Sequence, residues 1–365
     1  MNDEICVEAL ALTAFVAALL GAAGCPPDEA QAVAANLVDA NLAGHDSHGV
    51  GRAPRYVEMI REGLVVPGRR IAVERDGGGF ITVDGESGFG AVIGAQAVDL
   101  GCERAAANGA CVVALRNASH LGRIGAWAER AAAAGYVSVH FVNVRGRSLV
   151  APYGGIDRRM ATSPMSVGIP IAGSAPIILD FATSAVAEGK VMVAATGGAK
   201  FPDGVLVDAQ GRPSADPAAL YGETASALVP NASRGAGALA VFGGHKGSGL
   251  NFMIEMLAGA LTGGGVNRTF RDQTEQPFRN GMLSIYLNPE RFAGRDYFER
   301  EALDYAAYVR SARPAQGHDE VFIPGDKERR IRAARLKEGI PLSRGGLARL
   351  NSLAAKLGVP TLTTF

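Results

Sequence analysis

The chain has 365 residues, of which 48% are hydrophobic, 20% charged and 48 are glycine. This composition excludes a disordered chain and leaves room for about two or three domains of ordinary size. Lys plus Arg and Asp plus Glu both number 36, so no basic excess marks a nucleic-acid partner and a charged ligand must be caught by a local site.

The four cysteines, Cys6, Cys25, Cys102 and Cys111, show no CxxC spacing, which points to free thiols in a reducing, cytoplasmic setting. The N-terminal run ALALTAFVAALLGAAGC is apolar, but its leader carries Asp3, Glu4 and Glu8 and no Lys or Arg, the reverse of a signal peptide. Residues 3–21 are therefore predicted as an ordinary helix with its acids at the dipole-favoured start. No other run reaches the roughly 18 apolar residues of a membrane span. Helical patterns continue through PDEAQAVAANLVDANLAG and RAPRYVEMIREGL. From residue 80 short β-type runs (GFITVDG, ACVVALRN, YVSVHFVNV, APIILDFAT) alternate with Ala-rich helices such as AWAERAAAAG. Residues 196–243 are rich in Gly, Pro, Asp and Ala and read as a loop-rich insertion or small subdomain. An apolar helix, GSGLNFMIEMLAGALTG, a strand-like GMLSIYLNPE and two charged helices, EREALDYAAYVRSA and DKERRIRAARLKEG, complete the chain. The class is α/β: a helical domain from residues 1–75 and 291–365, an α/β domain from 76–195 and 244–290, and the 196–243 segment between them.

The stretch GHDSHGVGR, residues 44–52, concentrates chemistry. If it enters a helix, His48 and Arg52 share one face: an imidazole can pass a proton to a carbonyl oxygen while a guanidinium grips a neighbouring carboxylate. Ser47 can fix the imidazole tautomer, whereas His45 and Asp46 read as structural. The competing reading, a capped helix start with solvated histidines, stands beside it. In NASHLGRIGAW, a β-run enters a Gly-containing loop at a helix start, a phosphate-binding arrangement to which His120 and Arg123 can add, or else a plain turn. GFGAVIG, 88–94, mimics a dinucleotide glycine loop, but the next β-run ends in Arg116 and Asn117 where an acid for the ribose is wanted. LDFATSAVAEGK sets Asp180, Thr183, Ser184, Glu188 and Lys190 at an element edge, and GGHKGSGLNFMIE sets His245 and Lys246 before a helix; strand ends and helix starts are where α/β folds bind ligands. There is no metal, hydrolase or P-loop motif.

With DSHGVGR, SHLGRIGAWAERAAAAGYVSVHFVN, APYGG, ATSPMSVGIP, LDFATSAVAEGK and HKGSGLNFMIEML in this order, down to LNPERF and IPGDKERR, the chain resembles the malate/L-lactate dehydrogenase type 2 family along nearly its whole length. That family includes sulfolactate, ureidoglycolate and diketogulonate enzymes and the cyclic imino acid reductases. The resemblance implies NAD- or NADP-dependent reduction of a 2-oxo or 2-imino acid, a homodimer, and a non-Rossmann cofactor domain on a mixed, largely antiparallel sheet. It removes the dinucleotide reading of GFGAVIG. Carried over, it makes His48 the proton donor, Ser47 its relay partner, Arg52 the carboxylate clamp and Thr162 a substrate contact. It makes cofactor contacts of His120, Leu121, Gly122, Arg123 and Ile124, of Ala182, Thr183 and Ser184, of His245 and Lys246, and of Ile323, Pro324, Gly325, Asp326, Lys327, Glu328 and Arg329. Imino acid reductases carry an aspartate where this chain has Lys190, which favours a malate- or lactate-like 2-hydroxy acid; Glu188 and Asp180 remain alternative acids for an imino acid reductase. TSP at 162–164 stands where the family has TNP. Arg116, Arg123, Arg145 and Arg147 are candidate partners for an NADP phosphate. A catalytically silent ligand-binding relative is the alternative from another class.

Overall fold

The helix predicted over 3–21 divides in two. Glu4–Val7 is a strand, β1, and the helix α1 spans Ala9–Ala22. Glu8 caps it, its carboxylate accepting the amides of Leu10 (3.0 Å) and Ala11 (2.7 Å). β1 pairs antiparallel with residues 340–343, Val7 opposite Ile340, a partnership more than 330 residues distant that no local pattern announces. The computed structural model describes residues 4–197, 201–225, 231–267 and 278–362.

α2 (Pro27–Leu42) opens on a proline and two acids, as expected of a helix start, and α3 (Ala53–Arg61) follows. A seven-stranded sheet then forms from β2 (Ala72–Asp76), β3 (Phe80–Asp84), β4 (Ala110–Ala118), β5 (Val137–Arg145), β6 (Met165–Ile169), β7 (Ile177–Phe181) and a late strand at Arg279–Leu287. Its order is β2-β3-β4, the late strand, then β5-β6-β7. Only β3 and β4 run parallel; every other neighbouring pair is antiparallel. α4 (Gly90–Asn108) is the crossover between the parallel pair and α5 (Gly125–Ala133) covers the same face. GFGAVIG therefore does link a strand to a helix. Its glycines serve packing: a Cβ on Gly90 would lie 2.1 Å from the His120 carbonyl oxygen and one on Gly94 2.6 Å from the Trp127 ring, so backbone and indole fill the room a phosphate would need.

α6 (Glu188–Gly197) leads into the loop-rich region, where β8 (Leu206–Val207), β9 (Pro213–Ser214), the one-turn α7 (Ala218–Tyr221) and β10 (Ala238–Leu239) enclose a small core around Leu206, Leu220 and Tyr221. α8 (His245–Ile254) widens into π geometry over Glu255–Leu261, and the late strand is β11. α9 (Arg295–Arg310), α10 (Asp326–Glu338), β12 (Ile340–Ser343) and α11 (Arg344–Leu357) close the described chain. β12 and α11 return Ile340, Leu342, Leu350 and Ala354 to Leu12, Leu19, Val33 and Tyr56, one core shared by both ends of the sequence.

A polar knot lies inside the sheet. His140 on β5 is fully buried, with Nδ1 2.8 Å from Ser284 Oγ and Nε2 3.0 Å from Ser138 Oγ. Burial pushes its pKa from 6.5 down to about 3. Between those values the unfolded chain binds a proton that the native fold refuses, so this contribution to stability is complete above pH 6.5 and is lost as pH falls toward 3. The urea midpoint is expected to decline through this window, and less steeply in His140→Gln; parallel declines in the two proteins would show that the buried imidazole is not responsible.

Candidate active site

Two adjoining cavities, about 380 and 300 Å3, open beside α2, the C-terminal end of β7 and the N-terminal end of α10, and share Arg123, Asp180 and Glu328 in their walls. The first collects Ser47, His48, Arg52, His120, Thr162 and Glu188 from four separate stretches of chain.

The loop 44–52 is not the helix on which the pairing of His48 with Arg52 was predicated. Residues 46–48 and 50–52 form two short 3-10 turns, and Gly49 between them is extended. The pair is joined by another route: Arg52 Nε donates to the Ser47 carbonyl at 2.7 Å, and Ser47 Oγ lies 3.0 Å from His48 Nδ1. Ser47 also packs so closely on α6 that a Cβ at Gly189 would lie 2.3 Å from its own. Asp46 takes no part in the cavity: it accepts Arg335 Nη1 (2.6 Å) and Nη2 (2.9 Å) and the Asn41 amide (2.5 Å). His45 lies 3.4 Å from Glu328. Both tie the loop to neighbouring helices.

His48 stacks on His120, ring centroids 5.6 Å apart and planes 10° from parallel. Tyr56 Oη is 2.7 Å from His120 Nδ1. Desolvation, then the His120 and Arg52 charges, hold His48 well below 6.5, and burial with Arg52 and Arg147 takes His120 to about 3. Both rings are neutral at neutral pH. Tyr56 was indistinguishable in sequence from a core tyrosine on an amphipathic helix.

Glu188 is the cavity's internal carboxylate. Tyr221 donates to its Oε1 at 2.8 Å, Arg147 Nη2 is 3.2 Å away and Arg52 Nη2 3.9 Å. Burial would raise its pKa, but Arg147, Arg52 and Tyr221 together hold it below the ordinary carboxylate value, so it is ionised. Tyr221 comes from the small core of the loop-rich region, which is how that region reaches the site.

Asp180 and Arg123 form the wall between the cavities, 3.8 Å apart. Burial raises the Asp180 pKa against the pull of His45, Arg123 and the Gly125 amide. Arg123 is only 2% exposed and donates through Nη2 to Asp39 (3.0 Å) and Glu129 (2.5 Å). The start of α5 thus already holds a carboxylate, and Arg123 neutralises protein acids.

Other predicted residues divide cleanly. Gly122, Ile124, Ala182, Ser184, Lys190, Lys327 and Glu328 line the first cavity, and Gly325, Glu328 and Arg329 the second. Leu121 is buried in the sheet core. Thr183 is buried as well, its hydroxyl bonded to the carbonyls of Thr162 and Ser163, and so shapes the TSP turn from behind; Ser163 there has φ +25°, a left-handed conformation that asparagine tolerates better than serine. Asp326 accepts Arg310 and Arg329, Ile323 and Pro324 line neither cavity, and His245 and Lys246 stand exposed on the first turn of α8, also away from both. Of the arginines considered for an NADP phosphate, Arg116 binds Glu74 and Asp84, Arg145 the Gly264 carbonyl, and Arg147 Glu188.

Whether the walls suit a dinucleotide can be tested on their unsatisfied groups. Asp180 Oδ2 and Arg123 Nη1 are buried without a hydrogen-bond partner among the described residues, an acceptor and a donor side by side, as a carboxamide requires. Lys190 and Lys327 line the first cavity, and no carboxylate of the described residues pairs with them within 4 Å, leaving cationic charge for a diphosphate. The donor set fits.

A family model described as malate/L-lactate dehydrogenase matches residues 7–351. Hydroxycarboxylate dehydrogenase B of Escherichia coli K12 is 38% identical over 357 residues, covering 98% of this chain and 95% of that protein. The solved structure of malate dehydrogenase from Pyrococcus horikoshii superimposes with a TM-score of 0.86 at 30% identity, covering 99% of this chain and 98% of that one. The Δ1-piperideine-2-carboxylate reductase of Pseudomonas syringae pv. tomato gives 0.79 at 32% identity, covering 96% and 99%.

Proposed function

The chain belongs to the malate/L-lactate dehydrogenase family, and from that premise we propose that it interconverts a 2-hydroxy acid and its 2-oxo acid with NAD or NADP. His48 moves the proton and Arg52 holds the substrate carboxylate. The observation that carries this reading is the Ser47–His48–Arg52 unit, tied together at 3.0 and 2.7 Å inside a cavity large enough for a small acid.

The nicotinamide ring, when bound, exchanges a hydride with C2 of the substrate. Asp180 and Arg123 are the groups that would hold its carboxamide, and Lys327 with Lys190 the diphosphate. The sheet whose strand β7 carries Asp180 is largely antiparallel, which supports a non-Rossmann cofactor site. Arg52, anchored by Nε, offers its remaining N–H groups to the substrate carboxylate. His48, with Nδ1–H donated to Ser47 Oγ, keeps Nε2 to accept the hydroxyl proton during oxidation. For reduction it must first be protonated. A carboxylate bound at Arg52 cancels part of the positive field that depresses its pKa, so substrate binding itself promotes that protonation. The exposed Tyr297, Tyr305 and Tyr308 on α9 support a homodimer.

Arg52→Ala is expected to raise KM for a 2-oxo acid roughly 10- to 100-fold, the span of a lost charge-assisted contact, with a smaller change in kcat. Steady-state kinetics followed by nicotinamide absorbance measure it, and an unchanged KM would displace Arg52 from the substrate. One observation favours a second reading, cyclic imino acid reduction: Asp180 is a buried acid with a raised pKa in the cavity wall. Activity on pyrroline-2-carboxylate but not on 2-oxo acids would establish that reading instead.

A further inference from the structure

The helix α10 is docked by charge. None of its 13 residues is buried, so it lacks the apolar stripe that seats an ordinary surface helix. The side it turns to α2 and the catalytic loop is Glu328, Ile331, Arg332 and Arg335, spaced i, i+3, i+4 and i+7. Glu328 faces His45 at 3.4 Å, Ile331 covers Gly44, and Arg332 binds Asp39. Arg335, its side chain 17% exposed, takes both Asp46 oxygens in a fork, Nη1 at 2.6 Å and Nη2 at 2.9 Å, and donates to the Asn41 carbonyl in the last turn of α2. Asn41, itself buried, carries that hold into the loop. Its Nδ2 donates to Asp46 at 2.5 Å, its Oδ1 accepts the Val50 amide at 2.8 Å, and a Cβ at Gly49 would lie 2.1 Å from that oxygen. The break between the two 3-10 turns, with Ser47 and His48 before it and Arg52 after it, is therefore set from α10. The other end of the same helix walls the first cavity through Lys327 and Glu328. That end is fastened independently: Arg310 binds Asp326 at 2.7 Å, and Arg329 donates to the Pro176 carbonyl at 2.8 Å.

We propose that Arg335 is a positioning residue for the catalytic step: it fastens the loop of Ser47, His48 and Arg52 to a helix that also walls the cofactor cavities, so that cofactor binding and placement of the loop are linked. This rests on the reading of His48 as proton carrier, Arg52 as clamp and Lys327 as a diphosphate contact. Arg335 itself lines neither cavity. It acts through Asp46 and Asn41, and a displacement of about 1 Å in the groups they hold is enough to cost roughly two orders of magnitude in rate. α10 is steadied when Lys327 meets a cofactor diphosphate, and through Arg335 so is the loop. Without the fork the helix is still steadied and the loop is not. Lysine at 335 keeps the charge and loses the fork, so it restores only part of the hold.

The test measures backbone hydrogen exchange over residues 44–52 and 326–338, with and without NADH or NADPH, beside kcat for reduction of pyruvate and oxaloacetate by the full-length enzyme. In the wild type the cofactor is expected to slow exchange in both segments by about fivefold or more, the usual size of coupling between two sites. In Arg335→Met the slowing should persist in 326–338 and vanish from 44–52, while kcat falls roughly 10- to 100-fold. The cofactor Kd, read by nicotinamide fluorescence, should stay within about threefold, because Arg310 and Arg329 still hold the first turn of α10. Arg335→Lys is expected to lie between the two. Asp46→Asn cuts the same pair from the loop side and keeps the test open where Arg335→Met does not fold; it should lower kcat alike, and the double variant no further. A wild type whose loop exchange ignores the cofactor, loop exchange that still follows it in Arg335→Met, additive losses in the double variant, or kcat and cofactor affinity lost in parallel would each overturn the proposal and leave the dehydrogenase reading intact. Reduction of neither acid with either cofactor would overturn the dehydrogenase reading, and the exchange data would then decide the link between α10 and the loop alone.

Discussion

Replacing His48 by alanine is expected to lower kcat by roughly two to four orders of magnitude, the usual worth of a positioned general acid–base group, with a melting temperature close to wild type. The side chain lies in a cavity wall, and its partners are one hydroxyl and one stacked ring, so little packing is lost with it. Its depressed pKa fixes how each direction of the reaction responds to pH. In oxidation the free enzyme already carries the neutral base, and kcat/KM should hold its plateau as pH falls through 6.5, declining only well below it. In reduction the proton must be acquired, and kcat/KM should rise as pH falls through the same range. Initial rates in both directions across pH, for wild type and His48→Ala, check this. A variant turning over within a few-fold of wild type would take the imidazole out of the reaction.

The loop bearing His48 was legible because residue types that rarely crowd together do so in GHDSHGVGR. Its conformation was not: periodicity suggests a helical face, whereas Gly49 breaks the segment into two 3-10 turns and a hydrogen bond to a backbone carbonyl brings Arg52 round. The helices α2, α3, α5, α9 and α10 lie close to the stretches whose composition reads as helical, because that signal is local. β1 was read as helix since its stability comes from β12, and strand pairing across the chain has no local signature. For the same reason Tyr221 and Tyr56 escaped notice. Each reaches the site from an element whose own pattern is that of core, and their hydroxyl contacts to Glu188 and His120 exist only once distant segments meet.

Arg123 keeps one N–H for the cofactor carboxamide, but the fold gives it a second, heavier role as a buried counterion, and the two roles predict different results. A cofactor contact would, on replacement by methionine, raise KM for the nicotinamide cofactor and leave stability alone. The observed surroundings predict the converse first: Arg123 is 2% exposed, and its guanidinium lies within 4 Å of Asp39, Glu129 and Asp180, with Arg332 the other cation bound to that group. Arg123→Met leaves three carboxylates around one guanidinium in a poorly solvated space, which is expected to cost about 3–5 kcal/mol, as in other broken buried ion pairs. The sign of the pH dependence follows. Without Arg123 the folded-state pKa values of these acids rise above their unfolded values, so the penalty is full at neutral pH and shrinks as pH falls and the carboxylates take up protons. Asp180, already raised by burial, would be the first to do so. Urea unfolding of wild type and Arg123→Met at pH 7 and pH 5 measures both terms. A loss below about 1 kcal/mol at pH 7, together with a raised cofactor KM, would leave Arg123 a cofactor contact alone; a large loss that narrows at pH 5 would make it also the counterion that allows Asp180 to stand buried between the two cavities.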